Sequence, residues 1–104
     1  VNSVDARIER ITSDSCWKFH RDNVELRLFT TYRGPATEWV TADQAEAALL
    51  QQRNFSGPVQ RLTCGDIAIF KGSQAIESNG IVHRSPPIRG SETSRLILCL
   101  NTPE

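Results

Sequence analysis

Residues 19–33 read FHRDNVELRLFTTYR, and the fold follows from whether this stretch is extended. Apolar and polar residues alternate after Asn23, the period-two signature of a strand buried on one side. Val24, Leu26, Leu28, Thr30 and Tyr32 share one face, and Glu25, Arg27, Thr31 and Arg33 share the other. Carried back, the same parity adds His20 and Asp22 to the first face, which is expected to point inward.

Working outward, short apolar or alternating runs bounded by Gly, Pro, Asn, Asp and Ser predict strands over 6–12, 17–20, 24–33, 37–40, 59–62, 66–71, 81–84 and 95–101. In the first of these, Val4, Ile8 and Ile11 also fit one face of a helix. One segment breaks the pattern. From Thr41, TADQAEAALLQQR places Gln44 three residues after Thr41, a capping-box spacing, ahead of helix-forming alanines and leucines. Gly57-Pro58 closes that short helix and returns the chain to strands. The expectation is a mainly β chain: a double-stranded β-helix, that is a jelly-roll or cupin-like barrel, with one short helix, forming a single domain over 1–104.

The chain has 104 residues, the size of one domain with one core. Twelve Lys and Arg balance 12 Asp and Glu, so no general field draws in nucleic acid or an anionic membrane, and neither is expected as a partner. The longest apolar runs, such as IAIF and LILCL, fall far short of a bilayer. The start carries no signal-peptide pattern; because the chain opens on Val1 and has no methionine, further upstream sequence is expected. Cys16, Cys64 and Cys99 are odd in number and widely spaced, which predicts buried small apolar residues in a reducing, cytoplasmic setting rather than a disulfide framework.

His20-Arg21-Asp22 matches the first three residues of a kinase catalytic loop, but the chain has no Gly-rich phosphate loop and no D-F-G segment, and is far too short for that fold. A metal site is the sharper reading. Two residues apart on a strand, His20 and Asp22 lie on one side and within reach of one ion, and buried together they call for a cationic partner. The one other histidine, His83 in GIVHRSPP, ends a β-branched run. Two histidines and one carboxylate make the facial triad that holds non-haem Fe(II) with open positions; zinc or another divalent metal suits the same donors. If such a centre uses a 2-oxo acid, a cation must hold the far carboxylate. Arg95 shares parity with Ile97 and Cys99 and fits that role. Tyr32 offers a second hydrogen bond, and Arg84 and Arg89 are alternative cations.

The order H-x-D at His20 and Asp22, the turn RGPAT, LTCGDIAIFKG, VH at His83 and a basic residue at Arg95 resembles the double-stranded β-helix of Fe(II)/2-oxoglutarate dioxygenases, nearest in layout to the prolyl-hydroxylase-like branch. More narrowly, FHRDNVELRLFTTYRGPATEWV, GDIAIFKG and VHRSPP resemble the C-terminal half of an uncharacterised bacterial family of unknown function. The first resemblance implies Fe(II) and 2-oxoglutarate as cofactors, with His20, Asp22 and His83 as metal ligands. It implies an oxidisable small molecule or peptide as substrate, which no motif identifies. Two rival expectations stand beside it: a cupin-like metal protein without oxygenase activity, and a non-catalytic interaction module that buries its edges in a homodimer. A zinc site built on Cys16 and His20 has no C-x-x-C pair to support it.

Overall fold

The computed structural model describes residues 3–13, 16–76, 79–88 and 93–102. Seven strands form two antiparallel sheets. The larger contains β1 (Asp5–Ile11), β7 (Arg95–Asn101), β2 (Leu26–Arg33) and β5 (Ile67–Lys71) in that order; the smaller contains β4 (Gln60–Arg61), β3 (Glu38–Val40) and β6 (Val82–Arg84). The chain is mainly β with one short helix, α1 (Ala45–Gln51), and neither sheet closes on itself.

Strand β7 is the spine of the larger sheet. All seven of its residues pair with β1, from Asp5↔Asn101 to Ile11↔Arg95, and that ladder decides the first segment as a strand over its helical alternative. Its sequence RLILCLN alternates strictly: Arg95, Ile97 and Cys99 are buried on one side, and Leu96, Leu98 and Leu100 are half-buried on the other. On that outer side the register sets Ile8 beside Leu98, Leu98 beside Thr30 and Thr30 beside Ile67. Ile8, Ile67 and Ile69 are exposed there, so an apolar band runs across all four strands.

The apolar core lies elsewhere. Phe19, Val40, Ala45, Ala48 and Val82 form it, with Leu49, Phe55 and Val59 packed around, so α1 lies on one face of the smaller sheet. Because side chains alternate along β6, His83 points to the opposite face, toward Phe29 and Phe70 of the larger sheet. The capping box expected at Thr41 does not form. Thr41 is extended, its hydroxyl donates to Asp43 Oδ1 at 2.5 Å, and a 3-10 turn at Ala42–Gln44 leads into the helix. After α1, Gln52 adopts a positive φ and turns its amide onto Phe19: Oε1 accepts from Phe19 N at 2.8 Å and Nε2 donates to Phe19 O at 3.1 Å. That side chain braces the backbone next to His20 as a strand partner would.

Strand β2 begins at Leu26 rather than Val24, because Asn23–Glu25 bend. The bend is held by the chain after β5: Gly72 N donates to Glu25 O (2.9 Å), Ser73 N to Asp22 O (2.8 Å) and Gln74 N to Val24 O (3.1 Å). It breaks the parity expected for residues 20–33. Arg27 and Phe29 face the other sheet, whereas Leu26 and Tyr32 face out. No helix among the described residues is long and apolar enough to cross a membrane.

Gly72 approaches this bend so closely that a Cβ would collide with the carbonyl oxygen of Val24, whereas one at Gly65 would meet open space and only the strain of φ +94°. Gly72→Ala is therefore expected to lower stability by about 1–3 kcal/mol and Gly65→Ala by about 1 kcal/mol. Urea denaturation of both variants compares them, and equal losses would mean that the bend gives way without consequence.

Candidate metal centre

The centre is built on two backbone hydrogen bonds. His20 N donates to His83 O and His83 N to His20 O, each at 3.0 Å, an isolated antiparallel bridge that brings the two histidines side by side with ring centroids 4.7 Å apart. The ring of His83 packs 5.1 Å from Phe70 and 6.0 Å from Phe29 and is 3% exposed. Asp22, 7% exposed, presents its carboxylate to both rings. His20 Nε2 lies 3.5 Å from Asp22 Oδ1 and His83 Nε2 lies 3.1 Å from Asp22 Oδ2. One donor atom from each of the three residues falls within 4.8 Å of the others.

Hydrogen positions follow from the partners. His20 Nδ1 lies 2.6 Å from the carbonyl of Lys18, so Nδ1 carries a proton and donates it. In the neutral ring Nε2 is then a bare lone pair directed at a carboxylate oxygen, a repulsive contact unless a proton or a cation stands between them. Asp22 Oδ2 and His83 Nδ1 are buried without a hydrogen-bond partner, the Oδ2 contact with His83 being close but poorly directed. Burial alone would raise the Asp22 pKa. The imidazoles of His20 and His83 and the guanidinium of Arg27 outweigh it and hold the carboxyl well below its ordinary 3.8. The Asp22 carboxylate and the Lys18 carbonyl raise the pKa of His20 against the opposing effect of burial. Two neutral nitrogens and one carboxylate, converging with orphaned polar atoms, are a donor set that fits a divalent cation.

Arg27 belongs to this centre and was not singled out by the sequence. Its Nη1 lies 2.6 Å from Asp22 Oδ1, and its Nε donates to Asn101 Oδ1 on β7. The signal that hid it is the bend, which reverses the inward parity of β2. Tyr32, assigned to the inward face on that parity, is 53% exposed on the outer side of the sheet, away from the centre.

Arg95 is 1% exposed. Its guanidinium donates to three neutral oxygens: Nε to Pro35 O at 2.8 Å, Nη1 to Ser85 Oγ at 2.6 Å and Nη2 to Thr37 Oγ1 at 3.4 Å. Among the described residues no carboxylate balances it, and burial pulls its pKa below the ordinary guanidinium value, partly offset by Cys16. Arg84, the alternative cation, is committed elsewhere. Glu38, itself buried, accepts from Arg84 Nε at 2.9 Å and Arg61 Nε at 2.7 Å. Arg89 lies outside the described residues. Cys16, Cys64 and Cys99 are all free; only Cys99 is buried.

A cavity of about 110 Å³ joins these groups, with His20, Asp22, Arg27, Thr37, His83 and Ser85 in its walls. A larger groove of about 350 Å³ between β5 and β6 has Lys71 as its one titratable side chain among mostly apolar residues, so the capacity for chemistry resides in the smaller space.

The shifts at Asp22 and His20 define a pH test on metal-free protein. A depressed carboxylate contributes stability that is present above 3.8 and lost as pH falls; a raised histidine contributes stability that is present below 6.5 and lost as pH rises through its folded value. Asp22→Asn removes both, since Asp22 is the first cause of the His20 shift, and leaves Arg27 half-buried without its counter-charge. We expect a loss of about 3 kcal/mol near pH 5 that shrinks toward either extreme. Parallel wild-type and variant profiles in chelator, followed by urea denaturation, would count against the coupled pair.

The family model described as "Protein of unknown function (DUF1826)" matches residues 1–101. No curated protein and no solved structure matches the chain, so the resemblance to dioxygenases gains no support from these comparisons. With the match running over nearly the whole chain, including every residue of the centre, the protein belongs to the DUF1826 family.

Proposed function

We propose that His20, Asp22 and His83 bind one divalent cation and that the domain is an Fe(II)- and 2-oxo-acid-dependent oxygenase in which Arg95 anchors the cosubstrate. One observation carries the metal assignment: both oxygens of a single buried carboxylate face imidazole nitrogens, one of them in a ring whose other nitrogen is already committed as a donor.

The strand order supports the finer fold reading. With the His20 segment bridged to β6, each layer holds four chain segments, β1-β7-β2-β5 and the His20 segment with β6, β3 and β4. Two four-membered antiparallel layers between which the chain repeatedly crosses are the plan of a jelly roll.

The residues divide the work. His20 is oriented by the Lys18 carbonyl and His83 by the Phe29 and Phe70 rings, so both present nitrogen to the same space as Asp22. Arg95, charged and without an acidic neighbour among the described residues, supplies a planar fork for a carboxylate, with Pro35, Thr37 and Ser85 holding it in place. When bound, Fe(II) and a 2-oxo acid would supply the oxidising chemistry, leaving the protein to bind, orient and exclude water. Zinc or nickel on the same donors would instead give a cupin-like protein without that activity.

Protein purified without chelator is expected to carry about one divalent metal per chain, and His83→Ala to lose it. Anaerobic addition of Fe(II) and 2-oxoglutarate should produce a visible charge-transfer band that Arg95→Ala abolishes while keeping the metal. Tight metal with no band would replace the oxygenase by the cupin-like reading. Absence of metal would leave a binding module.

A further inference from the structure

We propose that Arg27 makes the centre a site for an anionic ligand, a carboxylate-bearing small molecule held beside the metal; this rests on the metal assignment above. The cavity wall contains four charged side chains besides the histidines: Arg7, Glu9, Asp22 and Arg27. They balance in two pairs, Arg7 with Glu9 at 3.2 Å and Arg27 with Asp22 at 2.6 Å. The first pair is largely solvated, the second largely buried.

A dication that takes Asp22 as a ligand disturbs this balance. It shares the cavity's one buried carboxylate with Arg27, and the inner cavity goes from neutral to a charge of two positive units. Water screens such an excess poorly in a space of about 110 Å³. An anion restores neutrality, and Arg27 gives it a directional seat. Nε is held by Asn101 and Nη1 by Asp22, leaving Nη2 without a partner among the described residues, while the guanidinium lies 5.7 Å from the Phe29 ring, which limits its swing. Held at Nε and Nη1, the guanidinium keeps Nη2 fixed in place to donate one charge-assisted hydrogen bond to a carboxylate oxygen.

Arg95 does not duplicate this role. Arg27 pairs with Asn101 at one end of β7 and Arg95 stands at the other end. Six residues of strand separate their attachment points, on the order of 20 Å at the usual rise per residue. The two guanidiniums serve different groups, so a cosubstrate anchored at Arg95 leaves Arg27 for a second anion, the substrate.

Titration calorimetry with Co(II) tests this, first alone and then in acetate against chloride at matched ionic strength. Wild-type protein is expected to bind Co(II) at least about fivefold more tightly in acetate, the coupling typical of two linked ligands. Arg27→Met is expected to bind Co(II) alone more tightly than wild type, because a competing cation is gone, and to lose the acetate effect; Arg27→Lys should retain part of it. A residue that only supported the fold would give the opposite sign, weaker metal binding with the acetate effect intact. That result overturns the proposal, and so do equal wild-type affinities in acetate and chloride, a comparison that stands even if Arg27→Met fails to fold. Wild-type protein that binds no Co(II) in either salt overturns the metal assignment and this proposal together.

Discussion

The paired backbone hydrogen bonds between His20 and His83 are the constraint on which the centre depends. The two residues are 83 − 20 = 63 positions apart in the sequence, and one antiparallel bridge at the edge of the smaller sheet sets their rings 4.7 Å from each other. Everything around the bridge serves to hold it: the Gln52 amide grips Phe19 on one side, and the Gly72–Gln74 turn grips Asp22, Val24 and Glu25 on the other. A single bridge is weak on its own, worth about 1 kcal/mol per hydrogen bond. Its register survives because side chains and turns on both flanks leave the backbone no alternative.

That arrangement has an energetic cost that shapes the rest of the domain. A chain of 104 residues has room for one modest core, yet the space between the two sheets holds Asp22, Arg27, Thr37 and His83 alongside Phe29, Phe70, Ile97 and Cys99. The main apolar cluster lies on the helix side of the smaller sheet, where Ala48 and Val82 are essentially inaccessible. Replacing the polar interior with leucine and valine would remove a desolvation penalty of several kcal/mol per buried ion. The fold keeps those ions at the expense of its own stability.

Much of this was legible in the sequence, for reasons that can be traced to particular residues. RLILCLN alternates so strictly that its pattern alone gives β7 its observed bounds and sets Arg95 on the buried side with Ile97 and Cys99. IAIFK and VHR are readable as strands to within a residue because turn residues flank them. His20, Asp22 and His83 were grouped because the chain has only two histidines and one carboxylate lies two residues from the first. The inward face of β2 was not legible. Its parity depends on a bend at Asn23–Glu25 that is imposed by hydrogen bonds from Gly72, Ser73 and Gln74, some fifty residues downstream, and no local pattern announces it. Read as one unbroken strand, the stretch turns Tyr32 inward and Arg27 outward, the reverse of the sides they occupy. The capping box at Thr41 does not form, because the threonine hydroxyl donates to Asp43 and caps no backbone amide.

The bend also explains how one carboxylate can serve two masters. On an unbroken strand Asp22 and Arg27 would project to opposite faces, their spacing being odd, and Asp22 would meet only the histidines. Bending the chain between them turns both inward, so that Oδ2 is turned toward His83 while Oδ1 lies between His20 and Arg27. The carboxylate is thereby fixed from two directions before any ligand arrives, and little reorganisation is left for binding to drive. A flexible aspartate at the end of a regular strand would offer the same atoms with more freedom and lower affinity. The bend that precedes β2 is therefore what brings the three side chains and Arg27 together, and it is enforced by a glycine whose missing Cβ is the condition for the close approach.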